Sequence, residues 1–167
     1  MPRPPRDRDR PAPSPARSTF DSSEPSEIVF GLRACLAILA TRPTSIREVF
    51  VSHDQRDAAR ALLAHARTNA RELPDRELER LAETAHHEGV VVRTTPRKWT
   101  SGKELRALFE NRKKSPVGIA LDRVRNPYNI GAILRTAAFF GVDVAILGAP
   151  APHPALPPDA ARVAEGG

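Results

Sequence analysis

The stretch that decides the fold reads PVGIALDRVRNPYNIGAILRTAAFFGVDVAILG and spans residues 116–148. Val117–Leu121 and Val142–Leu147 are short apolar runs, typical of strands that a parallel sheet buries on both faces. The segment between them has the length of a crossover helix. A strand, a crossover helix and a second strand in this order predict one right-handed βαβ unit.

The helix of this unit has recognisable start and stop signals. Asn126-Pro127 marks a turn, and Asn129 is well placed to cap the helix. Gly141 supplies the stop. The predicted apolar stripe consists of Ile130, Ile133, Leu134, Ala137 and Ala138. Because ligands of such units normally bind outside the carboxyl ends of the strands, the turn at residues 125–129 is the expected binding end.

Two features of this helix are not explained by packing. Arg135 follows Gly131 by one helical turn, and helix side chains lean toward the N-terminus, so the guanidinium is expected to cross a glycine without a side chain. A phosphate or sugar hydroxyl there would meet backbone N–H groups and Arg135 together. The alternative is an arginine on a solvated helix face, with a glycine tolerated beside it.

The run NPYNIGAILRTAAFFGVD resembles the first signature motif of the SpoU/TrmH family of SPOUT RNA methyltransferases. The characteristic positions of that motif are occupied by Asn129, Gly131, Arg135 and the Phe140-Gly141 pair. The resemblance implies a homodimeric enzyme that transfers methyl from S-adenosylmethionine to a ribose 2′-hydroxyl of tRNA or rRNA. It also implies catalytic roles for Arg135, which would activate the hydroxyl, and for Asn129, its partner in the motif. Since guanidinium stays protonated at ordinary pH, binding an adjacent phosphate and lowering the pKa of the hydroxyl is an equally good role for Arg135.

The resemblance reaches back to about Ile28. From there the chain looks like the small RNA-binding domain, similar to ribosomal protein L30e, that precedes the catalytic domain in many family members. Alternating strands and helices over this span predict a small α/β sandwich. Its predicted helices cover residues 30–40, 56–66 and 75–85, with Asp75 as the cap of the last, and its predicted strands cover 46–51, 70–73 and 89–94. The apolar stripe of the first helix is Leu32, Cys35, Leu36 and Leu39.

Composition limits the partners and the compartment. A formal charge of +6 suits a polyanion, although a genomic bias toward arginine would give the same value. No apolar run reaches the roughly 20 residues of a membrane span, and the N-terminus has no signal-peptide core. With a single cysteine, which fits a reducing compartment, these features predict a cytoplasmic protein. Residues 1–26, rich in Pro and Arg, predict a disordered basic arm that either touches RNA or only solubilises the chain.

Residues 96–115 predict a basic linker. Its cations and two arginines before the motif turn are the expected RNA contacts: Arg97, Lys98, Lys113, Lys114, Arg123 and Arg125. Trp99 either stacks on an unpaired base or anchors the linker against one of the domains. A short helix from Thr100 or Ser101 is expected to turn three apolar residues inward, namely Leu105, Leu108 and Phe109. No metal is expected at His86-His87-Glu88, since adjacent side chains cannot converge on one ion.

Residues 149–167 are rich in proline and poor in apolar residues. The resemblance places the loops that form the S-adenosylmethionine-binding knot beyond Gly167, so a fragment or truncated form of a longer methyltransferase is expected, without its cofactor site. We therefore predict an α/β protein: an L30e-like sandwich at 27–95, followed at 116–167 by the first part of a SPOUT parallel-sheet domain. Two functions stay open, an RNA ribose 2′-O-methyltransferase and a non-catalytic RNA-binding module.

Overall fold

A computed structural model describes residues 25–54, 70–110, 115–148 and 156–164. The predicted helix at 56–66 and most of the predicted arm at 1–26 lie outside these ranges. The elements are β1 (Glu27–Phe30), α1 (Leu32–Thr41), β2 (Ile46–Ser52), β3 (Ala70–Leu73), α2 (Asp75–Ala82), β4 (Val90–Thr94), α3 (Gly102–Glu110), β5 (Gly118–Leu121), α4 (Pro127–Phe139), β6 (Val144–Leu147) and α5 (Pro158–Ala164). Within the described ranges, no helix combines the length and the apolar composition that crossing a bilayer requires.

The first unit is a four-stranded sheet in the order β1-β4-β2-β3. β4 pairs antiparallel with both β1 and β2, whereas β2 and β3 are parallel neighbours. Strands β2, β3 and β4 match the predicted positions. β1 was not predicted, because its four residues run directly into α1 and its pairing partner lies far along the chain. The α/β fold class is confirmed.

Alternate side chains of this sheet form two separate cores. On one face, α1 buries Ala34, Cys35 and Ile38 against valines of the strands, among them Val49, Val51, Val90 and Val92. On the other face, α2 buries Leu78 and Ala82 against Phe30, Phe50 and Val91. The predicted stripe of α1 was displaced: Leu32, Leu36 and Leu39 are only partly buried at its edge.

The predicted cap of α2 was wrong. Asp75 is the first helical residue, the N-cap position is taken by Pro74, and no side chain caps this end. The Asp75 carboxylate instead accepts a hydrogen bond from the Ser52 hydroxyl, at the end of β2. The helix ends at Ala82, earlier than predicted, because Glu83 adopts a left-handed conformation with φ 57°. A contact between two elements therefore replaces the local cap.

The second unit is the predicted βαβ arrangement. β5 and β6 pair in parallel, from Gly118 opposite Val144 to Leu121 opposite Leu147, with α4 between them. At the end of α4, Gly141 has φ 69° and donates its N–H to the Ala138 oxygen. Val142 donates to the Ala137 oxygen, which completes a Schellman motif. The stop signal read from Gly141 is therefore confirmed.

Helix α5 was not predicted from the sequence. Ala160, Ala161 and Ala164 are buried, and Leu156, Ala160 and Ala161 pack with Ile130 of α4 and Leu121 of β5. Signals for this helix were present, since Pro158 and Asp159 open it and alanine is the strongest helix former. α5 covers one face of the two-stranded sheet together with α4, and the opposite face exposes Ala120 and Ile146. The expectation of strands buried on both faces was wrong.

Helix α3 has the predicted start but not the predicted packing. Ser101 and Glu104 form a reciprocal capping box: the Ser101 N–H donates to Glu104 Oε2 at 2.8 Å, and the Glu104 N–H donates to Ser101 Oγ at 3.2 Å. None of its residues is buried, and Leu108 and Phe109 are 44% and 41% exposed. Leu105 is half-buried, but the inward orientation predicted for Leu108 and Phe109 was wrong.

Candidate functional site

The N-terminus of α4 is capped from within. The Asn126 side chain accepts hydrogen bonds from the backbone N–H groups of Tyr128 at 2.9 Å and Asn129 at 3.3 Å. Pro127 occupies the first turn, and the Ile130 N–H bonds to the Asn126 carbonyl at 3.0 Å. Asn126, not Asn129, is therefore the cap, because the helix begins at proline, which is preorganised for that position. The backbone donors expected to meet an anion are already satisfied.

Asn129 and Arg135 are both exposed on α4. Since Asn129 does not cap, its amide group projects from the first turn of the helix. Six residues separate the two side chains, which puts about 9 Å of helix axis between their Cα atoms. A ribose-phosphate unit could span that distance.

Gly131 has a packing role that its sequence position did not reveal. It is buried, and a Cβ added there would lie 2.5 Å from the Ala160 carbonyl oxygen and 2.7 Å from Val163 Cβ. Both atoms belong to α5, so the bare helical surface admits a neighbouring helix. The expectation that a ligand approaches over Gly131 was wrong, because α5 fills that space.

The predicted RNA-contacting cations have different surroundings. Arg97 is held at the first sheet, where its Nη2 lies 2.8 Å from Glu27 Oε1 and its Nε donates to the same oxygen at 2.9 Å. Lys98 reaches Glu104 at 3.4 Å with a side chain that is 87% exposed. Arg123, with φ 55°, pairs with its neighbour Asp122 at 3.2 Å. Arg125 is exposed in the turn before α4, and Lys113 and Lys114 lie outside the described residues.

His87 and Cys35 are both buried and have structural roles. His87 is buried, and its Nδ1 accepts the Gly89 N–H at 3.0 Å in the turn that leads into β4. In the part of the chain that the structure describes, no group of three or more His, Cys, Asp or Glu residues is arranged to hold a metal ion. Cys35 is fully buried in the first core, and burial raises the pKa of its thiol far above the ordinary range. A protonated, inaccessible thiol is not a nucleophile.

An apolar cleft of about 410 Å³ lies between α4 and β5. Its lining residues are Ile119, Ala132, Ile133, Thr136, Ala137, Phe140 and Val142. Thr136 provides the one polar side chain of this lining, and its hydroxyl already donates to the Ala132 carbonyl at 2.9 Å. Phe140 of this lining contacts Phe139 edge to face, and the two side chains are 75% and 82% exposed.

A second cluster of cations was missed by the sequence analysis. Arg71 of β3 and Arg93 of β4 lie over the Phe50 ring at 5.9 Å and 5.5 Å, and both pair with Glu48. The sequence signal was the alternation within the strands, which puts Arg71, Arg93 and Glu48 on the face that α2 also covers. Because these arginines are spread over two strands, they form no basic run in the sequence.

Comparison with known proteins assigns the class of this fold. An RNA 2′-O ribose methyltransferase crystal structure aligns with TM-score 0.61 and 17% identity over 86% of this chain and 52% of that one. The SpoU methyltransferase AviRb from Streptomyces viridochromogenes, solved in complex with AdoMet, aligns with TM-score 0.60 and 22% identity over 84% of this chain and 50% of that one. The chain thus has the fold of the RNA methyltransferases.

Sequence comparisons match part of this chain to one family within that class. Residues 28–100 match the family model for RNA 2′-O ribose methyltransferase substrate binding. The 23S rRNA (guanosine-2′-O-)-methyltransferase RlmB of Haemophilus ducreyi is 32% identical over 126 residues, which are 73% of this chain and 51% of that protein. RlmB of Nitrosomonas europaea is 34% identical over 129 residues, 73% of this chain and 48% of that protein. These matches support a SpoU-type RNA methyltransferase, and the chain spans about half the length of these relatives.

The cofactor of this family is S-adenosylmethionine, which is present in the AviRb structure. A pocket for it must accept a charged sulfonium and an amino-acid group, both of which need polar partners. The cleft beside α4 offers apolar walls and a hydroxyl that is already engaged. The lining of this cleft therefore does not fit the cofactor.

Proposed function

We propose that this chain contributes the RNA-binding domain and the first part of the catalytic domain of an S-adenosylmethionine-dependent RNA ribose 2′-O-methyltransferase. The observation that carries the proposal is the pair Asn129 and Arg135, exposed on the helix of a parallel βαβ unit in a chain similar to SpoU methyltransferases. Asn126 caps this helix, so the Asn129 amide is not needed for that purpose. The relatives named as 23S rRNA and tRNA/rRNA methyltransferases support rRNA or tRNA as the substrate class.

Arg135 is proposed to act on the ribose-phosphate of the RNA. A fixed positive charge beside a 2′-hydroxyl favours its ionised form, and the planar guanidinium binds a phosphate through two N–H groups. Asn129 is proposed to orient the same nucleotide through its amide. With Asn126 capping the helix, this amide can donate and accept hydrogen bonds without loss of helix stability.

We further propose a division of the chain into an RNA-binding domain at 27–95, a linker at 96–115 and a catalytic segment at 116–167. The proposed RNA surface consists of Lys98, Lys113, Lys114, Arg123 and Arg125. Arg97 belongs to it more weakly, because its guanidinium is paired with Glu27. A homodimer in the cytoplasm is proposed for the whole enzyme.

A non-catalytic RNA-binding module is the second candidate function. The mismatch between the described cleft and S-adenosylmethionine favours it for the chain taken alone. Calorimetric titration of the 167-residue chain with S-adenosylmethionine tests this point. No binding is expected at millimolar cofactor, and measurable binding would show that the chain itself holds a donor site.

Methyl transfer from labelled S-adenosylmethionine to rRNA tests the catalytic proposal in the intact polypeptide that carries this chain. Arg135→Ala should lower the rate at least a hundredfold and change RNA affinity only a few fold, because the lost interaction acts in the transition state. Arg106→Ala, which alters an exposed arginine of α3, is the matched control and should retain activity. An active Arg135→Ala variant would remove Arg135 from the mechanism.

A further inference from the structure

A cleft of about 340 Å³ opens on the face of the first sheet that α2 partly covers. Its lining comes from three strands and from α2, and consists of Glu48, Phe50, Arg71, Leu73, Glu77, Arg80, Leu81 and Arg93. The roles proposed above for α4 and the linker do not use this cleft.

The arginines of the cleft are held in place before any ligand arrives. Glu48 is buried, and its two carboxylate oxygens pair with different guanidiniums, Oε1 with Arg71 at 3.6 Å and Oε2 with Arg93. Both guanidiniums also lie over the Phe50 ring. Each guanidinium carries five N–H donors, and one shared carboxylate cannot satisfy all of them. Donors therefore remain at fixed positions along the cleft wall.

Charge and access favour an anionic ligand. Three arginines face two glutamates in the lining, so the cleft carries an excess of one positive charge. The side chains of Arg71 and Arg93 are 41% and 27% exposed, and Arg80 is exposed on α2. A concave, positive wall concentrates the field of its charges. Phe50 is only 3% exposed, so it supports the arginines and does not offer a ring on which a base could stack.

We propose that this arginine cleft binds the phosphodiester backbone of the RNA substrate, with Arg80 and Arg71 as its reachable donors. This rests on the proposed function and adds to it a second, sequence-independent contact on the opposite side of the domain from α1. Such contacts hold the register of an RNA without reading its bases. They also make affinity depend on salt, because bound counterions are released.

Arg80→Glu tests the cleft directly. Arg80 is exposed and its substitution leaves the Glu48 ion pairs intact, so the fold should be retained, as circular dichroism can verify. Fluorescence anisotropy with a labelled single-stranded RNA and a hairpin should show about tenfold weaker binding and a salt dependence flatter by about 1 in log–log slope. Arg33→Glu on α1 makes the same charge change on the opposite face and should alter affinity less than threefold.

Removing a negative charge from the cleft provides a second test, which should have the opposite effect on RNA affinity. Glu77 lines the cleft, so Glu77→Gln removes a repelling carboxylate and should tighten RNA binding about twofold to threefold. Glu79→Gln, on the far side of α2, should leave it unchanged. If both glutamine variants behave alike, the cleft is not where the RNA lies.

The possible outcomes distinguish a failure of the cleft proposal from a failure of the proposed function. Binding that weakens equally in Arg80→Glu and Arg33→Glu would overturn the cleft and leave the proposed function standing. A wild-type chain with no affinity for either RNA would overturn both. A parallel titration with inorganic phosphate identifies a free-anion site: loss of phosphate binding in Arg80→Glu with unchanged RNA affinity would also overturn the proposal.

Discussion

The two sheets of this protein are built from similar apolar strands and differ in how completely they are covered. In the first sheet, Val49, Val51 and Val92 are inaccessible, and helices lie on both faces. In the second, the described residues provide two helices on one face, while Ile146 on the other is 45% exposed. The apolar pattern of a strand therefore indicates that it can be buried, but not what buries it.

The second unit also depends on contacts with the first. Arg162 of α5 lies 6.0 Å above the Phe30 ring and 3.6 Å from the Glu88 carboxylate. Glu88 Oε2 in turn accepts the Leu32 N–H at the start of α1. Gly31, with φ 89°, lets the Arg162 side chain pass close to the backbone. A two-stranded sheet is marginal by itself. Helix α5 supports it by packing on one of its faces and by contacting the first unit.

If the two sheets differ in how completely they are covered, the largest loss of stability should come from a substitution in the first core. Leu78→Ala should lower the free energy of unfolding by about 3 kcal/mol, because the side chain is fully buried and leaves a cavity. Phe139→Ala, a larger truncation, should change it by less than about 0.5 kcal/mol, since that ring is 82% exposed. Urea unfolding followed by circular dichroism measures both. Equal losses would mean that Phe139 is covered in solution and that the two units are not different.

Gly131→Ala should have the next largest effect. The added methyl group would meet the Ala160 carbonyl, which is backbone and cannot move without displacing α5, so a loss of about 2 kcal/mol is expected. Hydrogen exchange should show faster opening of α4 and α5, with β2 and β4 unchanged. Gly102→Ala is the control, because a methyl group there meets nothing within 4 Å and should be neutral or slightly stabilising. A neutral Gly131→Ala variant would contradict the close packing of α5.

Asn126→Ala should lower the free energy of unfolding by about 1 kcal/mol, because the two backbone N–H groups that donate to the Asn126 side chain would lose their acceptor. Asn129→Ala, in the same turn, should have little effect on the unfolding midpoint. The reverse result would restore Asn129 as the cap and remove the reason for assigning its amide to RNA.

The smallest effect concerns α3, between the two units. Hydrogen bonds from Ser101 and Lys98 lower the pKa of Glu104 from 4.5 to about 2. A lowered folded-state pKa stabilises the capped helix above pH 4.5, and this contribution disappears as pH falls from 4.5 through 2. Carboxyl chemical shifts of Glu104 followed by NMR measure the titration. Ser101→Ala should move the pKa back toward 4.5, and an ordinary value in the wild type would exclude the capping box.

Local signals predicted much of this structure. The turn at Asn126, the stop at Gly141, the alternation in β2 and the apolar run of β4 each depend on neighbouring residues, and the structure has an element at each place. The predictions that were wrong or missing concern contacts between residues that are distant in the sequence. Asp75 binds Ser52 across a loop, and β1 exists because β4 pairs with it. The catalytic roles of Asn129 and Arg135 stay predictions.

By itself, the sequence determined the βαβ unit, the α/β class and the resemblance to the family, because these depend on periodicity, turn residues and a motif that is continuous in the chain. Tertiary structure alone decided that Gly131 receives a helix, that Arg97 is held by a carboxylate, and that Arg71, Arg80 and Arg93 share a cleft. Each of these depends on residues far apart in the chain. Their distances are set by packing and not by spacing along the sequence.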